Sequence, residues 1–507
     1  MSTMPRRKLP QTLYKLCLEE AELLIANSCQ NIHDRYGNYD DEFCRIAAQE
    51  LQSYLLLNIP GILLDDICDR RRFSAHSTQN YDPRISLSIY IHKNMRKFFI
   101  SETSDEKKIG SGDSFWVTQL SKLQNIVVLD MHLACTDEIL EVVGRTCLKL
   151  EQINIVSRLE PDKGKINSYP FNALKLKFFV SDDGLHHLKN CKLLKYITMN
   201  KIIRSHVGGK MMTPAGIRGL VKSLPQLQSI SYNYMGIVLG EEMDDIDYLP
   251  LTCISDYIAD VKHTQAIARL CLNLHHLCLG VQSDIIAPEI LNTLTNSSLQ
   301  LVVLELDQFP FCDEMVQFLI EKGKALHSLR LRSGNILHPK HVRIIGETCP
   351  NLKSLSLRER DTWKYLGRVC EMPSSFTTCS QVLFSNLECL KIEGTDWIPK
   401  DIIPLLLINA KHIEKLSIFK RNHFDPIEPI LFHVLKYNPL HHLKKFYLLL
   451  GCDIKMCTVV YLAKNCLSIR ELAFSKYGTD GSAELKELNE DIKRLNLDLK
   501  VCPFKLE

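Results

Sequence analysis

Hydrophobic positions along this chain fall into one recurring phrase: an apolar residue, two of any kind, an apolar residue, one of any kind, an apolar residue. The clearest copies carry a cysteine three positions ahead: CLKLEQINI from Cys147, CKLLKYITM from Cys191, CLNLHHLCL from Cys271, CPNLKSLSL from Cys349 and CLSIRELAF from Cys466. Other residues replace the cysteine in SLQLVVLEL from Ser298, GKALHSLRL from Gly323, FSNLECLKI from Phe384, AKHIEKLSI from Ala410 and LHHLKKFYL from Leu440. Further copies begin at Met95, Ile126, Phe171 and Leu227. Most successive copies are about 21 to 27 residues apart. The alternation that ends each phrase predicts a short strand. Helix signals lie between phrases. TPAGIRGLVKSL offers Thr213 as N-cap and Pro214 at the first helical position, HPKHVRIIGETC uses Pro339 in the same way, and DPIEPILFHVL uses Pro426. Each unit therefore reads as strand, turn, helix. Such a unit buries its apolar side only against its neighbours, so stacked units predict a parallel sheet on one side and helices on the other.

These phrases resemble the cysteine-containing class of leucine-rich repeats, familiar from ubiquitin-ligase substrate receptors, over roughly residues 90 to 480. The resemblance implies an α/β horseshoe solenoid. The recurrent cysteine fits a small, buried apolar position where a helix meets the following strand. Two long steps predict insertions: one between Tyr232 and Leu274, holding the acidic run GEEMDDID, and one from Arg358 to Phe384, holding RERDTWKYLG. The tail GSAELKELNEDIKRLNLDL has the charge and leucine spacing of a helix that caps the last repeat. The domain reading is a helical module over 1–75, the solenoid over 76–480 and a capping helix over 481–507.

A second pattern lies near the start. In TLYKLCLEEA, Thr12 suits an N-cap, and Leu13, Cys17 and Ala21 recur at four-residue intervals on one helix face, widened by Leu16, Leu24 and Ile25. This resembles the BC box, the Elongin C-binding helix of von Hippel-Lindau-box and SOCS-box proteins. The resemblance implies that Leu13 enters a hydrophobic pocket of Elongin C, with Thr12, Leu16, Cys17 and Ala21 completing the contact. Downstream, IPGILLDDI places Ile59, Pro60, Leu63 and Ile67 in the spacing of a cullin-2 box. The order of BC box, cullin box and leucine-rich repeats resembles von Hippel-Lindau-box receptors, including the PRAME-like group. It implies Elongin C with Elongin B, cullin-2 and a RING-box subunit as partners, and a protein substrate with an unspecified degron. About forty residues separate the boxes, more than in compact examples, so residues 31 to 57 must supply further helices. Two other readings stay open. IPGILLDDICDRRRF also resembles the opening of an F-box, which implies Skp1 and cullin-1, although no tryptophan-bearing third F-box helix follows. Alternatively, the chain is a leucine-rich scaffold whose first helices cap the solenoid, with Leu13 and Cys17 buried around Met95 and Phe98.

The residue inside each terminal L-x-L, and the one after it, faces the open side of the sheet. Consecutive phrases bring Glu305 and Asp307, Arg330 and Arg332, Ser356 and Arg358, then Lys391 and Glu393 side by side. Arginine forks suit carboxylates and phosphates. Arg330, Arg332, Arg358 and Lys391, with Trp363 and Trp397 at the rim, are therefore candidates to hold an acidic or phosphorylated segment, the alternative being a solvated charged face. The remaining numbers narrow the class. The 507 residues are 45% hydrophobic and 24% charged, with a net charge of +3, so no global field points to nucleic acid or membrane. The 19 cysteines are scattered without C-x-x-C pairs, and no apolar run has the length of a membrane span. Reduced thiols in the cytoplasm or nucleus are the expectation. No nucleophile elbow, phosphate loop or zinc-protease motif occurs. No catalytic residue, metal or cofactor is expected.

Overall fold

Strands begin two residues after the first apolar position of nearly every phrase. The computed structural model describes the chain from Leu13 to Phe504 except residues 60–62, 68–80, 100–112, 132–134, 156–179, 200–211, 242, 244, 335, 360–381, 395–397, 421–427, 451–455, 467, 476–481 and 495–497. Two compact units divide it at Ile254 and Ser255. The first unit carries β1 (Lys97–Phe99), β2 (Val128–Asp130), β3 (Gln152–Asn154), β4 (Tyr196–Thr198), β5 (Ser229–Ser231) and the start of β6 (Cys253–Asp256). The second carries β7 (His276–Gly280), β8 (Val303–Asp307), β9 (Ser328–Ser333), β10 (Ser354–Glu359) and β11 (Cys389–Gly394). It continues through β12 (Lys415–Lys420), β13 (Lys445–Leu450), β14 (Glu471–Ser475) and β15 (Lys500–Phe504). Within each unit the strands are parallel and pair in sequence order. The phrase at Phe171 lies outside the described residues, and β3 pairs directly with β4. This is a leucine-rich-repeat type of α/β solenoid.

Register turns the phrases into core. Phe98, Leu129, Ile153, Ile197 and Ile230 are aligned partners across the first unit, and all are buried. In the second unit Leu329, Leu355, Leu390, Leu416 and Phe446 form one buried row, and Leu331, Leu357, Ile392, Ile418 and Leu448 form another. Each such side chain contributes roughly 1.5–3 kcal/mol by leaving water. The recurrent cysteines sit where sequence placed them. Cys147, Cys271 and Cys349 each end a helix, donating their N–H to Val143, Ile267 and Ile345 respectively. Burial pushes the thiol of Cys147 up to about 11 and those of Cys271 and Cys349 to about 12, so they pack rather than react.

Two strands were not visible as phrases. The long step between Tyr232 and Leu274 is not a plain insertion, because it contains β6. Leu251 and Ile254 fill the first two apolar positions, but Asp256 occupies the third, and it is fully buried. Its carboxylate accepts from the N–H of Ile258 (3.4 Å) and lies 3.3 Å from Nδ1 of His263. The tail likewise does more than cap. Its helix, Ser482–Arg494, leads into β15, which pairs with β14.

Ahead of β1 the chain is helical. Helix α1 spans Leu13–Tyr36 and α2 spans Glu42–Asn58. Gly37, with φ of 82°, makes the turn between them, and Asp41 caps α2 by accepting from the N–H groups of Phe43 and Cys44. Leu18, Ile25 and Cys29 of α1, and Cys44, Ala48 and Leu55 of α2, are buried. Gln52 ties α2 to the helix Pro83–Tyr90, its Nε2 donating to the carbonyls of Ser88 (2.7 Å) and Ile91 (2.6 Å). Arg84 bridges Asp40 at 2.8 Å and Asp82 at 2.7 Å.

Candidate functional site

Two surfaces hold the residues singled out by sequence. The first is α1. Its buried residues recur on one side of the helix, which leaves the opposite stripe outward. Leu13 is 76% exposed, Leu16, Cys17 and Leu24 are exposed, and Ala21 is half-buried. Of the stripe's widening residues, Ile25 alone points into the core. Met95 and Phe98 are fully buried without Leu13 or Cys17 being so; Phe98 instead faces the ring of Trp116 at 6.3 Å. Thr12 and Pro60 lie outside the described residues.

The second box behaves differently. Residues 63 to 67 are helical, with Ile59 and Leu63 half-buried and Leu64 and Ile67 each 1% exposed. Ile67 is thus a core residue in this conformation. Tyr14 of α1 donates its hydroxyl to Asp66, which fixes this short helix beside the start of α1. The neighbouring Asp65 lies 3.5 Å from Nε2 of the buried His92. Sequence reasoning also passed over a second outward stripe on α2: Phe43, Ile46, Tyr54 and Leu57, the last 86% exposed. Their spacing on the helix was readable, since 43, 46, 50, 54 and 57 follow a single face.

The second surface is the open face of the second unit. Register brings Glu305 beside Arg330, Arg330 beside Ser356, and Ser356 beside Lys391. In the next row Asp307, Arg332, Arg358 and Glu393 are neighbours in that order. The predicted basic cluster therefore exists, but its arginines already have partners. Arg330 pairs with Glu305 at 2.8 Å, Arg332 with Asp307 at 3.3 Å and Arg358 with Glu393 at 3.1 Å. His276 (3.6 Å) and Arg330 hold the Glu305 carboxylate below its usual range against the cost of burial. Lys391 shares Glu393 with Arg358, at 3.7 Å, and extends its ammonium over the Phe419 ring, 4.9 Å from the centroid. On the next strand Lys415 lies over Tyr447 at 5.8 Å. Lys415, Phe419 and Tyr447 were not selected from sequence, although each occupies an outward position of its phrase. Trp363 and Trp397 lie outside the described residues. Among the described residues no group of three or more His, Cys, Asp or Glu side chains could hold a metal ion, and no helix is long and apolar enough to cross a membrane.

No protein-family model matches the chain, and no curated protein matches it. Solved structures of similar repeat architecture exist. Yeast Rad7, crystallised in complex with Elc1, is 12% identical, with 88% of this chain and 96% of Rad7 covered at a TM-score of 0.45. The leucine-rich repeat-containing protein LegL7 from Legionella pneumophila is 13% identical, covering 73% of this chain and 97% of its own at a TM-score of 0.33. TLR13, from a complex with ssRNA13, is 13% identical, with 77% and 49% covered and a TM-score of 0.26.

Proposed function

We propose that this chain is the substrate-recognition subunit of a cullin-2, Elongin B/C, RING ubiquitin ligase. In this reading α1 docks on Elongin C and the leucine-rich repeats hold the target. One observation carries the first part: α1 turns Leu13, Leu16 and Cys17 to water while packing its other side with Leu18, Ile25 and Cys29. A helix serving only to cap the repeats would point its largest apolar stripe inward, because capping is burial. A helix that enters a partner's groove needs i, i+4 and i+8 anchors free. Leu13 and Cys17 meet that requirement, Ala21 is half-buried beside them, and Thr12 would precede them as the N-cap. Ile59, Pro60, Leu63 and Ile67 are the proposed cullin contact. With Ile67 in the core, Ile59 and Leu63 are the members able to meet cullin without rearrangement.

The chain performs no chemistry in this role. It raises the effective concentration of a target lysine near a ubiquitin-charged enzyme brought by the RING subunit. The test is capture of the full chain by purified Elongin B–C and, in parallel, by Skp1, using wild type and Leu13→Ser/Cys17→Phe. The expected result is Elongin B–C capture that the double variant loses. Capture by Skp1 instead would move the chain to the F-box class, and capture by neither would leave a repeat scaffold.

A further inference from the structure

Charge is distributed unevenly over the open face of the second unit. On β8 and β9, two arginines face two carboxylates and the balance is zero: Arg330 with Glu305, Arg332 with Asp307. On β10 to β12, Arg358 and Lys391 both depend on Glu393, and Lys415 has no carboxylate within ion-pair distance among the described residues. Two of these cations thus divide one carboxylate, and the third lies beyond its reach. The positive surplus coincides with two rings of this face, Phe419 beneath Lys391 and Tyr447 beneath Lys415. Register explains the arrangement. Ser417 stands between Lys391 and Tyr447 in one row, and it is buried although it occupies an outward position of β12. A small residue there lets longer side chains from both neighbouring strands close over it.

We propose that this cation-capped aromatic platform, formed by Arg358, Lys391, Lys415, Phe419 and Tyr447, binds an acidic peptide segment that also carries an aromatic or apolar side chain. The proposal deepens the reading of the repeats as a target-binding surface and rests on that part of it alone. Carboxylates of the segment complete the cations that Glu393 leaves undercompensated. An aromatic side chain adds to the half-buried rings of Phe419 and Tyr447, with Lys391 and Lys415 already placed over their faces. The arginines on β9 stay outside the contact because Glu305 and Asp307 offset their charge one for one, whereas Arg358 divides Glu393 with Lys391.

The test is fluorescence polarisation of the full chain against a labelled random copolymer of glutamate and tyrosine, with a labelled oligouridine RNA in parallel. The expected result is saturable binding of the copolymer that weakens with salt and falls roughly tenfold or more in Lys391→Glu/Lys415→Glu. Arg330→Gln should stay within about threefold of wild type, because Arg330 spends its charge on Glu305. Circular dichroism and the melting midpoint verify that both variants fold. No copolymer binding, equal binding by the charge-reversed variant, or preference for RNA would each overturn the proposal. Elongin B–C capture by the same preparation stands or falls separately, so failure here leaves that reading intact.

Discussion

Removing His263 strands a carboxylate that water does not reach. Asp256 is fully buried, beside the N–H of Ile258 and the imidazole of His263. We expect His263→Ala to cost about 3 kcal/mol in urea unfolding, the usual scale for breaking one side of a buried pair. Replacing both, as Asp256→Leu/His263→Leu, should cost less than the single change, because leucine is what other repeats place at that position. The pair also carries a pH signature. Asp256, helped by Asp260, raises the His263 pKa above its free value of 6.5. The folded state therefore holds this proton more tightly than the unfolded one. Its contribution is complete below about pH 6.5 and is lost as pH rises through the folded value. Melting midpoints measured from pH 6 upward should decline, and His263→Gln should flatten that decline. Asp256 also explains why one repeat was hidden from pattern reading: a polar third position breaks the L-x-L signal, and only the fold supplies its partner.

Helices of the first unit are linked by a device that periodicity does not reveal. Asp137 accepts from the N–H (2.8 Å) and hydroxyl (2.6 Å) of Ser181, the N-cap of the following helix. Asp182 repeats the contact on Thr213, at 2.8 and 2.6 Å. Gly184 and Gly216 make room, since an added Cβ would lie 2.1 Å from Asp137 Oδ1 and 1.9 Å from Asp182 Oδ1. Gly184→Ala should thus destabilise by about 1–3 kcal/mol, although alanine is otherwise the better helix former. Asp137→Ala/Gly184→Ala should cost less than the sum of the two single changes, a non-additivity readable in denaturant titration. For α1, a helix with an apolar stripe was legible, and Leu13, Leu16 and Cys17 of that stripe are exposed. What sequence could not decide was which stripe the fold would bury, because Leu18, Ile25 and Cys29 are no greasier than Leu13, Leu16 and Leu24. Burial supplies the distinction and a prediction: Leu13→Ser should change stability by no more than about 0.5 kcal/mol, whereas Ile25→Ala should cost about 2–4 kcal/mol.

At the scale of the molecule, stability is assembled between neighbours. Strands in each unit pair only with the strand before and the strand after. Such an array approximates a sum of repeat and interface terms, so damage should stay local. Leu472→Ala, a buried position of β14, should raise amide hydrogen exchange in β13 to β15 and leave β1 to β3 and α1 unchanged. The repeat architecture was legible because most units repeat one short signal, β6 and β15 being the exceptions. The charged face was legible in its composition but not in its balance, since ion pairing depends on register between phrases that lie 25 or more residues apart, as Glu305 and Arg330 do.

Sequence-order pairing also bears on how the chain is made. No strand of either unit waits for a partner from a distant part of the polypeptide, so contacts close over short stretches and the entropy of each loop closure stays small. A ribosome releasing the chain from its N-terminus would deliver each new strand to an edge already in place. The most recently made edge would be an exposed ladder until the next strand arrived, as β13 is before β14 and β14 before β15.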